Sequence, residues 1–410
     1  MSPLLGCVAD DYTGGTDVAA AFRRSGLRTV LLFGPPEPGA VLPGCDAVVV
    51  ALKTRSVPAG EAVAASRAAQ DWLAGAGVRR LYVKYCSTFD STDQGNIGPV
   101  ARALAEAGGA GLTVVCPASP EHGRTVYQGH LFVGDRLLSE SPMRHHPLTP
   151  MTDSDLVRVL GRQTPHGVAL IPLRTVERGA GAVRSALDEL EARGVRHAVT
   201  DAVSDGHLDI IARAAAHLPV ITGAAGLARA TGALAGTDLP ATDLPAGDGV
   251  PALPPGPSVV LAGSCSAATL EQVAVARGRM PAHRLHAHDD GQAEALSWLE
   301  SRLAREERML VYSSAPPERR SPGAAAFLER ALAAVAARAA ELGARRIVVA
   351  GGETSGAVVN ALGVTAAVVG AEADRGVPWL LTTGEPRLAL LLKSGNFGRP
   401  DLLVRATETP

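Results

Sequence analysis

The sequence predicts an α/β protein of two domains, each with a mainly parallel sheet flanked by helices and with the active site in the cleft between them. Three observations carry this expectation. Short apolar runs alternate with helical patterns from residue 4 to 222 and again from 258 to 392, the rhythm of βαβ units. The chain of 410 residues is longer than one ordinary core supports. Residues 235–257 are crowded with Pro, Gly, Ala, Asp and Thr and lack periodicity, which marks a linker. The expected division is residues 1–234, a linker at 235–257, and residues 258–410.

In the first domain a strand at 4–9 runs into Asp10, Asp11, Tyr12, Thr13, Gly14, Gly15, Thr16 and Asp17, with a helix expected over 18–24. The outline is that of a dinucleotide fingerprint, but GxGxxG is absent and two acids stand where a pyrophosphate would meet the helix N-terminus. Negative charge there repels phosphate. Three carboxylates suit hydroxyl recognition, proton abstraction or magnesium binding; helix capping, worth about 0.3–1 kcal/mol, accounts for one or two of them.

Strands follow at 29–33 and 47–52, and Arg55, just past the second, is placed to grip a carboxylate with two parallel bonds. A helix over 59–74 and a strand at 81–83 lead into KYCSTFDSTDQGNIGP, residues 84–99, ahead of a helix over 100–107. This loop holds Lys84, Ser87, Thr88, Asp90, Ser91, Thr92 and Asn96, more polar side chains than a turn and an N-cap require. Loops at the carboxyl ends of strands line the ligand crevice of an open α/β sheet, so a small polyhydroxy anion is the ligand class that fits.

The strand at 112–116 opens onto Pro117, Ala118 and Ser119. Between 121 and 151 the helical rhythm breaks, and 125–133 with 137–138 reads as short strands around a turn at Gly134 and Asp135. The excursion ends in SPMRHHPLTPMTD, residues 141–153, where prolines at 142, 147 and 150 stiffen a loop carrying Arg144, His145 and His146. Adjacent histidines point apart in most backbones, so they read as substrate donors rather than a shared metal site. Alternation then resumes through helices to 160, over 179–192 and over 208–217, with strands at 168–172, 198–200 and 220–222.

In the second domain a strand at 258–262 delivers Gly263, Ser264, Cys265 and Ser266 into a helix over 267–276, and a strand at 346–350 delivers Gly351, Gly352, Glu353, Thr354, Ser355 and Gly356 into another. Small side chains and free N–H groups at a helix N-terminus are the physics of phosphate binding, although the Walker pattern is missing. A strand at 388–392 precedes Lys393, Ser394, Gly395, Asn396, Phe397 and Gly398. A lysine beside a glycine turn completes a phosphate cradle, and it also reads as an ordinary turn.

Composition excludes several classes. The 39 basic and 41 acidic residues are spread along the chain, so nothing steers nucleic acid or an anionic membrane. No apolar run approaches the roughly 18 residues of a membrane span, and MSPLLGCVADD lacks the pattern of a signal peptide, so a cytoplasmic protein is expected. Cys7, Cys45, Cys86, Cys116 and Cys265 show no CxxC spacing and read as reduced thiols; no protein side chain is assigned to a metal. Oligomeric state stays open, a homo-oligomer among the options.

Taken in order, ADDYTGGTD at 9–17, KYCSTFDST with GNIGP at 84–99, SPMRHHPLTPMTD at 141–153, GSCS at 263–266, GGETSG at 351–356 and LKSGNFG at 392–398 resemble the four-carbon acid sugar kinase family over nearly the whole chain. Each glycine motif alone is weak; six in order are specific. The chief departure is Ala262, in AGSCS, where a serine is usual. The resemblance implies that residues 1–234 bind the acid sugar, that 258–410 bind ATP, and that the γ-phosphoryl group passes to the terminal 4-hydroxyl, with Mg²⁺ held mainly by nucleotide phosphates and water. On that reading Asp11 is the favoured base, with Asp10, Asp17 and Asp90 as competitors. Asp17, Arg55, Lys84, Ser87, Thr88, Ser91, Arg144, His145 and His146 bind the acid. Ser264, Ser266, the residues Gly351, Gly352, Glu353, Thr354, Ser355 and Gly356, and Lys393, Gly395 and Asn396 bind ATP. Two other classes fit less well: a dinucleotide oxidoreductase lacks its fingerprint, and a non-catalytic acid-sugar sensor lacks an output module.

Overall fold

Runs of Val, Leu, Ile and Ala that hide both faces from water make the strands, as a parallel sheet covered by helices requires. The computed structural model describes residues 3–37, 39–40, 42–146, 148–237, 252–316 and 323–408, so Pro147 and most of the expected linker lie outside the described residues. The chain folds as two compact units, Met1–Asp243 and Leu244–Pro410.

In the first unit the strands are β1 (Leu5–Ala9), β2 (Thr29–Phe33), β3 (Ala47–Ala51), β4 (Arg80–Lys84), β5 (Thr113–Cys116), a small hairpin sheet of β6 (Arg124–Tyr127), β7 (His130–Val133) and β8 (Arg136–Leu137), then β9 (Gly167–Ile171), β10 (Val195–Thr200) and β11 (Val220–Gly223). The main sheet runs β2-β3-β1-β4-β11-β5-β10-β9, parallel throughout. Its register aligns Phe33, Ala51, Ala9, Lys84, Gly223 and Cys116 across neighbouring strands, so the loops beyond them leave the sheet at one level.

One element differs from the sequence expectation in a way that matters. The helix expected to begin at Val18 spans Tyr12–Arg24, with Asp11 as its N-cap accepting from the Gly14 N–H at 2.8 Å. Gly14 and Gly15 argue against helix by propensity. Gly15 is nonetheless required by packing, because a Cβ there would lie 2.6 Å from that of Ala51 on β3. Asp17 is therefore a helix residue, not a loop residue. The helix after the polar loop likewise starts early, spanning Ile97–Ala107.

The second unit contains β12 (Ser258–Ala262), β13 (Ala282–Arg284), β14 (Arg308–Tyr312), β15 (Arg346–Ala350), β16 (Ala366–Asp374), β17 (Val377–Thr382) and β18 (Ala389–Lys393), in the order β13-β14-β12-β15-β18-β17-β16. The first five in that order are parallel; β17 is antiparallel to both neighbours. Val260, Leu310, Val348, Trp379, Leu391 and Leu403 share its core. Ala262 is wholly buried at the end of β12, which is why an alanine serves there. Lys393, expected in the loop, is the last residue of β18 and is also wholly buried. Among the described residues no helix is long and apolar enough to cross a membrane.

Candidate active site

In the first unit the chain reversals after β1, β3 and β4 bring Asp10, Asp11, Arg55 and Lys84 together. Arg55 grips Asp10 with two bonds of 2.8 Å, from Nε and Nη2, and its Nη2 also donates to Asp11. The backbone fixes this clamp, since the Thr54 and Arg55 N–H groups both donate to the Asp10 carbonyl. Asp11 is further held by the Thr13 hydroxyl at 2.6 Å. Burial pushes Asp11 up, but Arg55, Lys84, Thr13 and the Gly14 N–H outweigh it and hold the carboxyl below its usual range. For Asp10 burial wins over Arg55 and the carboxyl is raised. Lys84 is 3% exposed and donates to the Tyr85 carbonyl at 2.9 Å. Gly14 is where these groups converge: a Cβ there would lie 2.3 Å from Asp11 Oδ1, 3.2 Å from Lys84 Nζ and 3.4 Å from Arg55 Nη2.

The polar loop after β4 is held in an unusual shape. Phe89 and Asp90 have φ of 65° and 39°, the left-handed region that non-glycine residues avoid. The Thr88 hydroxyl donates to Asp90 at 2.7 Å, Phe89 packs edge-on against Tyr85, and Asp90 Oδ2 comes within 3.9 Å of Arg55. Several of the polar residues serve the loop itself. Asn96 donates to the Thr54 and Val57 carbonyls, and Ser91 accepts from Gln163 at 2.8 Å. Ser87 is half-buried. The 141–153 segment is tied on by Met151, whose sulfur accepts from the Ser91 N–H. Arg144 donates to the Ser139 carbonyl just before the segment, His146 bonds to Thr149 within it, and His145 is exposed.

In the second unit three loops meet at the ends of β12, β15 and β18. Ser266 caps the helix Ala267–Arg277, and the Ser266 and Thr269 hydroxyls both donate to the Gly395 carbonyl. The helix Gly352–Ala361 starts at Gly351, with φ of 130° and no side-chain cap, which leaves its first N–H groups to a ligand. Contact is close enough to demand glycine: a Cβ on Gly263 would meet Thr354 Oγ1 at 2.1 Å, and one on Gly395 would meet Ser264 Oγ at 2.5 Å. A cavity of about 400 Å³ opens beside these loops, lined by Ser264, His286, Leu328, Leu332, Gly352 and Glu353 among others. Lys393 does not face it as a free cation. Its Nζ lies 2.6 Å from Gln272 Oε1 and 2.9 Å from Thr269 Oγ1 and the Gly395 carbonyl, so it moulds the loop from behind. Burial lowers it to about 7. Thr354 and Ser355 are buried and Asn396 is exposed.

Residues 5–231 match the family described as a sugar-binding N-terminal domain, and residues 259–403 the one described as a nucleotide-binding C-terminal domain. The chain is 49% identical, over 98% of its length and 96% of the relative's, to a 3-oxo-tetronate kinase of Burkholderia multivorans. It is 50% identical, over 100% and 99%, to one of Methylobacterium radiotolerans. The chain belongs to the four-carbon acid sugar kinase family. Within the family the fold carries over as well. A crystal structure of a Haemophilus influenzae protein superposes with a TM-score of 0.80 at 38% identity, covering 98% of this chain and 99% of that one. One from Salmonella typhimurium LT2, which carries a tRNA synthase description, gives 0.87 at 41%, covering 98% of each.

The family's sugar-binding part thus contains the Asp10–Arg55–Asp11 clamp, and its nucleotide-binding part the three glycine loops. Sequence reasoning did not single out Glu121, whose carboxylate pairs with Arg24 at 3.1 Å beside Asp17, nor Thr269 and Gln272, which hold Lys393. The acid and amide were readable as residues; their proximity was not. Among the described residues no three His, Cys, Asp or Glu side chains gather as a metal set.

Proposed function

We propose that this chain is an ATP-dependent kinase that phosphorylates O4 of 3-oxo-tetronate. The observation that carries the reading is the pairing of a cation-and-carboxylate site at the strand ends of the sugar-binding unit with the uncapped, glycine-started helix Gly352–Ala361 in the nucleotide-binding unit, in a chain half identical to enzymes named for that substrate. Residues 1–234 take the acid and 258–410 take ATP, with 235–257 between them.

A four-carbon acid has a carboxylate at one end and a primary hydroxyl at the other. Arg55, Lys84, Arg144 and the two histidines supply cations and donors for the first, with Ser87, Thr88 and Ser91 for the hydroxyls between; an acid from Asp10, Asp11, Asp17 or Asp90 receives the proton of the second. The N–H groups after Gly351, the Ser264 hydroxyl and the Gly395 turn that Ser266 braces cradle the phosphates. Mg²⁺ bound to the nucleotide would neutralise its charge, and an ion carried by phosphate and water fits a loop whose own acid, Glu353, is exposed. Phosphoryl transfer is chiefly alignment and charge neutralisation, so these parts suffice.

Selection of a 3-oxo acid over its reduced analogues falls at carbon 3, where a carbonyl only accepts and a hydroxyl also donates. A donor-built site disfavours the hydroxyl, because a mispaired buried group costs about 1–3 kcal/mol. Measured with ATP, kcat/KM should be highest for 3-oxo-tetronate; a higher value for threonate or erythronate would move the chain to a sibling activity, and ADP formation with none of the three would end the kinase reading for this substrate class.

A further inference from the structure

Asp17 is the acid of the N-terminal cluster that the fold leaves unsatisfied. It lies in the helix Tyr12–Arg24, is 8% exposed, and its Oδ1 is buried with no hydrogen-bond partner among the described residues. Stranding a buried carboxylate oxygen is costly, and a site that persists in doing so invites completion by a ligand. The competing acids are already engaged. Both Asp10 oxygens take Arg55 donors, Asp11 takes Arg55, Thr13 and the Gly14 N–H, and Asp90 takes Thr88. Asp11, held below its usual range by its partners, accepts a new proton badly, and Asp10, although raised, has both oxygens turned to Arg55.

The charged groups around Asp17 come from three places: Lys84 at the end of β4, Glu121 in the turn after β5, and Asp11 and Arg24 at the two ends of its own helix. Gly14, one turn earlier on the same face of that helix, has its Cβ position 2.3 Å from Asp11 Oδ1 and 3.2 Å from Lys84 Nζ, so Asp17 borders the floor to which the proposed acid-sugar site belongs.

We infer that Asp17 is the catalytic base, its Oδ1 accepting the proton of the 4-hydroxyl, while Asp10, Asp11 and Arg55 form the fixed frame that orients the acid sugar. The inference rests on the kinase reading above. In the step the O4–H bond breaks and its proton passes to Oδ1, the bond from O4 to the γ-phosphorus forms, and the bond from that phosphorus to the bridging oxygen breaks, its electron pair leaving on ADP. No further co-reactant is consumed. Burial raises the Asp17 carboxyl to about 6, so it is ionised at neutral pH and basic enough to hold the proton late in transfer.

The test is Asp17→Asn, assayed beside the wild type with ATP and 3-oxo-tetronate over pH 5–9. The wild type should show an acidic limb in kcat/KM near pH 6, whereas D17N should lose on the order of 10² or more in kcat, lose that limb, and keep its KM for ATP. A merely structural Asp17 predicts a lower melting temperature instead. A base left unsatisfied predicts none: its folded carboxyl titrates near 6, above the unfolded 3.8, so its contribution to stability is full below the unfolded value and is lost as pH rises through 6. D17N should thus melt no lower than the wild type at pH 8. If D17N does melt lower, Asp17→Ala with added formate decides, recovery of turnover supporting the base and no recovery overturning it. D17N that keeps wild-type turnover and its acidic limb overturns the inference and leaves the kinase reading standing; a wild type that transfers nothing to any four-carbon acid overturns both.

Discussion

Gly14→Ala separates the stability of the sugar-binding unit from its chemistry. In an unencumbered helix this change stabilises by about 1 kcal/mol. Here the new methyl would lie 2.3 Å from Asp11 Oδ1, so the carboxylate must swing away. That gives up the cap on the Gly14 N–H, about 1 kcal/mol, and the charge-assisted bond from Arg55, about 1.5–3 kcal/mol. The net is a loss of about 2 kcal/mol, or a fall of about 4–8 °C in the melting temperature of a unit this size. The catalytic effect should be larger, because Arg55 and Lys84, 3.4 and 3.2 Å from the same methyl, are displaced with it. An error of about 1 Å in such groups costs on the order of 10² in rate. A coupled assay of ADP release, titrating acid and ATP separately, should therefore show kcat/KM for the acid falling by about that factor while KM for ATP stays as it was. A G14A protein that melts higher than the wild type and phosphorylates the acid normally would refute the convergence of these three groups at Gly14.

In the nucleotide-binding unit, Gly395→Ala places a methyl 2.5 Å from Ser264 Oγ and should raise KM for ATP by on the order of 10 or more without touching KM for the acid, which steady-state kinetics would read directly. Lys393→Met removes the ammonium from Thr269, Gln272 and the Gly395 carbonyl, so KM for ATP should rise here too through the loop that Lys393 braces. Denaturant unfolding supplies the sign: with the folded lysine near 7 and the unfolded one at 10.5, the wild type gains stability relative to K393M as pH rises from 7 to 10.5, and a pH-independent difference would contradict the burial of a charge there.

Where a strand is covered on both faces the sequence contains no polar interruption, and its limits can be read directly; 29–33 and 258–262 are found where the apolar runs put them. The start of the helix at Tyr12 is not legible in that way. Local propensity penalises Gly14 and Gly15, and the demand that Gly15 pass close to Ala51 arises only when β1 and β3 are already paired. Lys393 is similar, since a lysine after an apolar run reads as the first residue of a loop until Gln272 and Thr269 are brought to it from the other side of the unit. The acids, cations and glycine loops of the candidate site were visible as residue types. Which acid is clamped and which is left open depends on side-chain geometry, and nothing in ADDYTGGTD distinguishes the first two aspartates from the third.

The register of the two sheets has a consequence for how such a chain can vary. Ala262, Ala350 and Lys393 sit on one rung in the second unit, as Ala51, Ala9 and Lys84 do in the first, and each functional loop begins at its rung. Adding or deleting a single residue within any of these strands slides its loop by about 3.3 Å, the length of a hydrogen bond, and turns every side chain to the opposite face. A substitution in one of these loops is felt at the contact it alters, as at Gly14 or Gly395, whereas a change of length within the strand displaces every contact the loop makes at once.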